Sequence, residues 1–153
     1  MRIYKQIQTH SFEQTESIGA EIAKMMLEDL DVPRFVALEG DLGVGKTVFV
    51  RGFTSVVAPN SAVRSPTFAL VNEYKNKQTG KAVYHFDVYR IADEDDLYSI
   101  GFYDYLDKGI CLVEWSENIR YAFPKEYFVV RIEKCDVENT EKRLITIYLV
   151  GKK

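Results

Sequence analysis

The residues Gly40-Asp41-Leu42-Gly43-Val44-Gly45-Lys46-Thr47 fit the pattern G-x-x-x-x-G-K-[ST] and stand between an apolar run and a stretch with helical character. Glycines at these positions let consecutive backbone N–H groups turn inward around phosphate oxygens, at the positive end of the following helix. In that arrangement Lys46 supplies a mobile charge for the β- and γ-phosphates of a nucleotide, and the Thr47 hydroxyl ligates magnesium. A glycine turn that merely ends a strand would need neither the lysine nor the hydroxyl.

Such a loop requires a second carboxylate, at the end of a neighbouring strand, to position the metal. Two candidates exist. Leu112-Val113-Glu114 is an apolar strand ending in an acid, and Ala82-Val83-Tyr84-His85-Phe86-Asp87 is another. One acid can bind the metal while the other orients or deprotonates the attacking water; the residues alone do not say which does which. Ser65-Pro66-Thr67-Phe68 follows Thr47 by about 20 residues, much as a switch threonine follows the phosphate loop in GTPases, so Thr67 is a candidate sensor of the γ-phosphate.

The elements that must carry these groups can be read from periodicity. Residues 2–8 alternate loosely and predict a short strand, and Ser11 followed by Gln14 is a capping box opening a helix. Ile18, Ile22, Met26 and Leu30 recur at i+4 as its core stripe, with Pro33 closing the element. Arg34–Glu39 and Gly109–Glu114 are short apolar runs of the kind buried in parallel sheets. Phe68–Tyr74 and Lys81–Tyr89 flank Asn76-Lys77-Gln78-Thr79-Gly80, the chemistry of a hairpin turn. Acids from Asp93 to Asp96 favour a helix start through its dipole, and Tyr127–Ile132 and Leu144–Val150 are late strands. Without repeat, low-complexity tract or linker, residues 1–153 are expected to form one domain.

Composition fits one globular domain and excludes a disordered or collagen-like chain. The 153 residues are 46% hydrophobic and 13% aromatic, enough to build a core without metal or disulfide staples. The formal net charge of −3 argues against a surface that clamps nucleic acid all over. No apolar run approaches the roughly 18 residues that span a bilayer, and the N-terminus lacks a secretory h-region, so a cytoplasmic location is expected. Cys111 and Cys135 fall in apolar strand-like stretches and are expected as reduced core thiols. Several other features have bland expectations. His85 is expected to pack within its strand, Tyr98, Phe102, Tyr103 and Tyr105 to pack in the core or an interface, and Asn76-Lys77-Gln78-Thr79 to form a turn rather than a guanine-reading N-K-x-D.

Taken together, the glycine loop, Ser65-Pro66-Thr67-Phe68, His85-Phe86-Asp87-Val88-Tyr89-Arg90 and Leu112-Val113-Glu114-Trp115-Ser116 resemble the TsaE family, small bacterial P-loop ATPases of tRNA threonylcarbamoyladenosine synthesis. The resemblance runs in order and spacing from about Leu38 to Glu117; the flanks match in pattern only. It implies an α/β, three-layer P-loop NTPase fold with a mixed, mostly parallel central sheet. It implies ATP as the nucleotide, bound by Gly40, Asp41, Leu42, Gly43, Val44, Gly45, Lys46 and Thr47, with magnesium held by Thr47 and Glu114. Asp87 would be needed for hydrolysis together with Lys46, Thr67 would lie in a switch-like loop, and Trp115 would lie near the nucleotide. The implied partners are a threonylcarbamoyl-transferase subunit and its non-catalytic paralogue, with tRNA met through that complex and no role for a membrane.

Val48 departs from the family pattern, where many members carry a second Thr, and so gives up a hydroxyl contact to the α-phosphate. The motifs leave the adenine contacts open; Ser11 and Phe12, at the first helix start, are the expected base-side wall. Two other readings compete with a slow, partner-dependent ATPase. A small metabolite kinase usually needs an arginine-bearing lid, and Asp93–Tyr105 contains no arginine. A nucleotide-gated binding module would not need both Asp87 and Glu114.

Overall fold

The computed structural model describes residues 1–41, 43–66 and 70–151. Leu42 and Thr67, both nominated above, lie outside the described residues. The elements run β1 (Arg2–Thr9), α1 (Phe12–Glu28), β2 (Phe35–Glu39), α2 (Lys46–Val57), β3 (Val71–Lys75), β4 (Ala82–Asp87), α3 (Glu94–Ser99), α4 (Phe102–Tyr105), β5 (Ile110–Glu114), a 3-10 segment (Ser116–Ala122), β6 (Tyr127–Lys134) and β7 (Arg143–Val150).

The strands form one mixed seven-stranded sheet in the order β1-β7-β6-β2-β5-β4-β3. The pairs β6–β2, β2–β5 and β5–β4 are parallel; β1–β7, β7–β6 and β4–β3 are antiparallel. The sheet is therefore only partly parallel, which corrects the expectation of a mostly parallel one. The reason is local. β3–β4 closes through a tight turn in which the Asn76 carboxamide accepts from the Gln78 and Thr79 N–H groups and Gly80 takes a φ of 75°, and such turns join only antiparallel strands. That geometry also makes Asn76-Lys77-Gln78-Thr79 a hairpin, as its residues predict.

Alternation along the central strands sends side chains to two cores. Val36, Leu38, Leu112, Val130 and Ile147 pack beneath Ile18, Ile22 and Met26 of α1 and Phe49 and Phe53 of α2. Phe35, Ala37, Cys111 and Val113 point the other way, against Leu97, Phe102 and Ile119. The capping box is present in altered form: Ser11 accepts from the Gln14 N–H at 3.2 Å, while the Gln14 side chain reaches back one residue further than usual, to the His10 N–H.

Two expectations fail in detail. α1 ends at Glu28, so Leu30 lies past the helix and is 77% exposed rather than on the core stripe. Cys111 is buried, but Cys135 follows the end of β6 and is exposed; both are free thiols. Phe102 is buried, in keeping with the expected core packing, and Tyr98, 63% exposed, packs on Tyr103 with ring centres 5.0 Å apart. Among the described residues, no helix is long and apolar enough to cross a membrane.

Candidate functional site

The parallel strands β2, β5 and β4 end side by side, and the loop after β2 turns directly into α2. Gly40, Gly43 and Gly45 have φ of 147°, 75° and 111°, the left-handed side that glycine alone adopts freely. At Gly40 the restriction is also steric, since a Cβ would meet Ile132 O at 2.6 Å. Gly45 is the N-cap of α2 and supplies no side-chain hydrogen bond, so the first N–H groups of a 12-residue helix have no capping side chain. The loop is pinned from behind: buried Arg143 at the start of β7 donates from Nε to Val44 O at 2.5 Å and from Nη1 to Thr140 O and Lys142 O.

Register brings the acids together. Asp87 pairs with Glu114 across the parallel β4–β5 ladder, and His85 pairs with Leu112. Residues two apart share a face of a strand, so His85, Asp87 and Glu114 all point toward α2. Both acids are only 7% exposed. Lys46 Nζ donates to Gly40 O at 2.7 Å and stands 3.8 Å from Glu114 Oε1. It also lies 5.7 Å from the centre of the Trp115 ring, which in turn packs against Tyr89 at 4.8 Å. Trp115 holds a φ of 60°, unusual for a bulky side chain. Asp87 Oδ1 accepts from the Tyr89 N–H at 3.0 Å.

A cavity of about 660 Å³ gathers most of the nominated residues: Phe12, Gly43, Gly45, Lys46, Thr47, Asp87, Glu114 and Trp115 line it, together with Val48, Ser65 and Tyr89. Gly40, Asp41 and Val44 line an adjoining cleft that shares Lys46 and Trp115 with it. Ser11 lines neither; its hydroxyl caps α1. Phe12 does reach the cavity, and the Arg143 guanidinium lies 5.3 Å from its ring centre. Val48 occupies the wall where a hydroxyl is missing.

Two groups escaped the sequence reading. One is Arg143, whose role depends on β7 returning beneath the loop. The other is the contact that His85 makes: the ring is fully buried in its strand, as expected, but its Nε2 is 2.6 Å from Glu114 Oε2, and among the described residues its Nδ1 has no hydrogen-bond partner. The i, i+2 spacing of His85 and Asp87 was a usable signal, since it sets both on the face that Glu114 shares.

Among the described residues, no group of three or more His, Cys, Asp or Glu is placed to hold a metal ion. The Thr47 hydroxyl and the Glu114 carboxylate are hard oxygen donors, of the kind that magnesium takes together with substrate phosphates rather than from an all-protein cage. Two carboxylates and one lysine around a polyphosphate would also leave strong repulsion without a divalent cation. The residues present fit magnesium brought with a nucleotide.

Comparison with known proteins agrees with the motifs. The family profile described as "Threonylcarbamoyl adenosine biosynthesis protein TsaE" matches residues 9–145. A relative from Haemophilus influenzae, named tRNA threonylcarbamoyladenosine biosynthesis protein TsaE, is 39% identical over 120 residues, 77% of this chain and 75% of its own length. A protein of the same name from Aquifex aeolicus is 37% identical over 150 residues, 97% of this chain and 98% of that one. The crystal structure of YdiB from Bacillus subtilis superposes with a TM-score of 0.72 at 29% identity, covering 99% of this chain and 89% of YdiB. With the profile spanning nearly the whole sequence and relatives similar along most of their length, the chain belongs to the TsaE family.

Proposed function

We propose that residues 1–153 form a single P-loop ATPase domain with the three-layer P-loop NTPase fold, which hydrolyses ATP with magnesium in support of threonylcarbamoyladenosine formation beside the anticodon of tRNA. It acts with a threonylcarbamoyl-transferase and its non-catalytic paralogue, in the cytoplasm, meeting tRNA through that complex. The observation that carries the proposal is the convergence of Lys46, Thr47, Asp87 and Glu114 on one cavity beneath an open helix N-terminus.

Polyphosphate lies along the N–H groups from Gly43 to Thr47, drawn by their partial positive charge. Lys46 exchanges its Gly40 carbonyl and Glu114 contacts for the β- and γ-phosphates. Thr47 and Glu114 would hold magnesium, which would neutralise charge developing on the phosphate oxygens. Asp87, fixed by the Tyr89 N–H, orients the attacking water. Thr67 acts as the γ-phosphate sensor, and Ser65, which lines the cavity, gives its loop a route to the nucleotide. Phe12 forms the base-side wall, with Ser11 contributing through the helix cap it makes. Trp115 lines the same cavity beside Lys46. The guanine-reading motif is missing because its nearest candidate is folded into the β3–β4 turn, which supports ATP over GTP.

Steady-state phosphate release by the purified chain, with ATP and with GTP, with and without magnesium, tests this reading. Magnesium-dependent release favouring ATP is expected. Equal or better use of GTP, or nucleotide binding that Lys46→Ala leaves unchanged, would overturn it.

A further inference from the structure

We propose that His85 is a positioning residue that fixes which way the Glu114 carboxylate faces and thereby sets the magnesium affinity of the nucleotide site. This deepens the reading of Glu114 as a metal ligand and rests on it.

The two oxygens of Glu114 have separate partners. Oε2 meets His85 Nε2 at 2.6 Å on the buried face of the sheet, and Oε1 faces Lys46 Nζ at 3.8 Å on the cavity side. A terminal carboxylate otherwise turns freely about its last bond, where the torsional preference is broad. Bonding one oxygen removes that freedom and leaves the other aimed at the cavity. Lys46 is the partner that must depart when a polyphosphate arrives. His85 cannot depart, because its side chain has no exposed surface and its strand is paired on both sides.

The ring's tautomer follows from its hydrogen bonds. Among the described residues Nδ1 is buried without a partner, and an N–H there would be an orphaned donor, the rarer and costlier defect. The proton therefore resides on Nε2 and is donated to Glu114, an assignment made from the hydrogen-bond network. An aliphatic residue would fill this apolar layer, beside Val83 and Leu112, without burying ring nitrogens. Histidine at this place is explained by the carboxylate it holds.

The test compares His85→Gln, His85→Asn and His85→Leu in the full chain. Glutamine carries its amide about as far out as Nε2; asparagine stops near Nδ1 and cannot reach Glu114. Mn²⁺ binding in the presence of ADP is followed by electron paramagnetic resonance, and ADP affinity is measured in EDTA. Outer partners of metal ligands typically change metal affinity by about tenfold to a hundredfold, so that loss is expected for His85→Asn and His85→Leu. His85→Gln should recover wild-type Mn²⁺ affinity to within about threefold, and metal-free ADP affinity should stay within about twofold in all three. If the leucine variant does not fold, the Gln–Asn pair still decides. Unchanged Mn²⁺ affinity in His85→Asn, or an equal loss in all three accompanied by lost metal-free ADP binding, overturns the proposal. Glu114→Ala separates the two levels: if it too keeps Mn²⁺ affinity, the reading of Glu114 falls, whereas if it alone loses affinity, only the role of His85 falls.

Discussion

Lys46 Nζ stands 3.8 Å from Glu114 Oε1, so the cation at the start of α2 and the acid at the end of β5 neutralise each other across the cavity. The lysine is nearly buried and donates a hydrogen bond to a loop carbonyl, Gly40 O. Phosphate must therefore displace contacts already made, and the net gain is that of a charge-assisted hydrogen bond, about 1.5–3 kcal/mol. Lys46→Ala is expected to weaken ATP binding about tenfold or more, measured by titration calorimetry.

Glu114 and Asp87 are register partners with separate contacts, one to His85 and Lys46, the other to the Tyr89 N–H. Glu114→Gln keeps an oxygen for His85 but loses the charge a divalent cation needs. It is expected to lose the magnesium-dependent part of ATP binding. Asp87→Asn should bind nearly normally and fail to turn over. Parallel binding and phosphate-release assays check both, and reversed phenotypes would exchange the two roles.

Trp115 is the single tryptophan of the chain and is held between Tyr89 and the Lys46 ammonium. In the proposed nucleotide complex Lys46 turns to phosphate and this cation–π contact is lost. Intrinsic fluorescence should therefore change on nucleotide addition and saturate with the calorimetric affinity. Lys46→Ala should start from a different baseline and respond weakly. A flat titration in the wild type would place the nucleotide away from this ring.

Burial pushes the Cys111 thiol up to about 12, whereas Cys135 is exposed. A thiol reagent should label one cysteine in the folded chain and two after denaturation. The sign of the pH effect follows. An unfolded thiol ionises near ~8.5, so the fold's preference for neutral Cys111 is fully felt below that pH and is lost as pH climbs toward about 12. Urea midpoints of the wild type should fall more steeply above pH 9 than those of Cys111→Ala.

Much of the site was legible because its signals are local. The glycine loop, the apolar strand ends and the Asn76 turn each specify their own backbone. What stayed hidden depends on register and return path. Nothing in the neighbourhood of Arg143 says that β7 will run beneath the loop and offer its guanidinium to Val44 O. Leu30 kept the i+4 period after the helix had stopped, because periodicity does not see that α1 ends at Glu28. His85 belongs between these cases: the spacing gave its face, but only the β4–β5 pairing gave it Glu114.

The last prediction concerns rate. Among the described residues, no arginine lines the cavity that holds Lys46, Thr47, Asp87 and Glu114. Arg51 is on an exposed part of α2, and Arg143 is committed behind the loop to three backbone carbonyls. A P-loop enzyme without an arginine at the γ-phosphate typically runs about 10³–10⁵-fold slower until that charge is supplied. The chain alone is therefore expected to hydrolyse ATP slowly, and adding the transferase and its paralogue should raise steady-state phosphate release. A partner can act by inserting a cation or by holding Thr67, the proposed sensor, toward the γ-phosphate. Substituting partner arginines one at a time distinguishes these routes. Equal rates with and without the partners, with no nucleotide-dependent complex on gel filtration, would mean that this site does not wait for a partner to complete it.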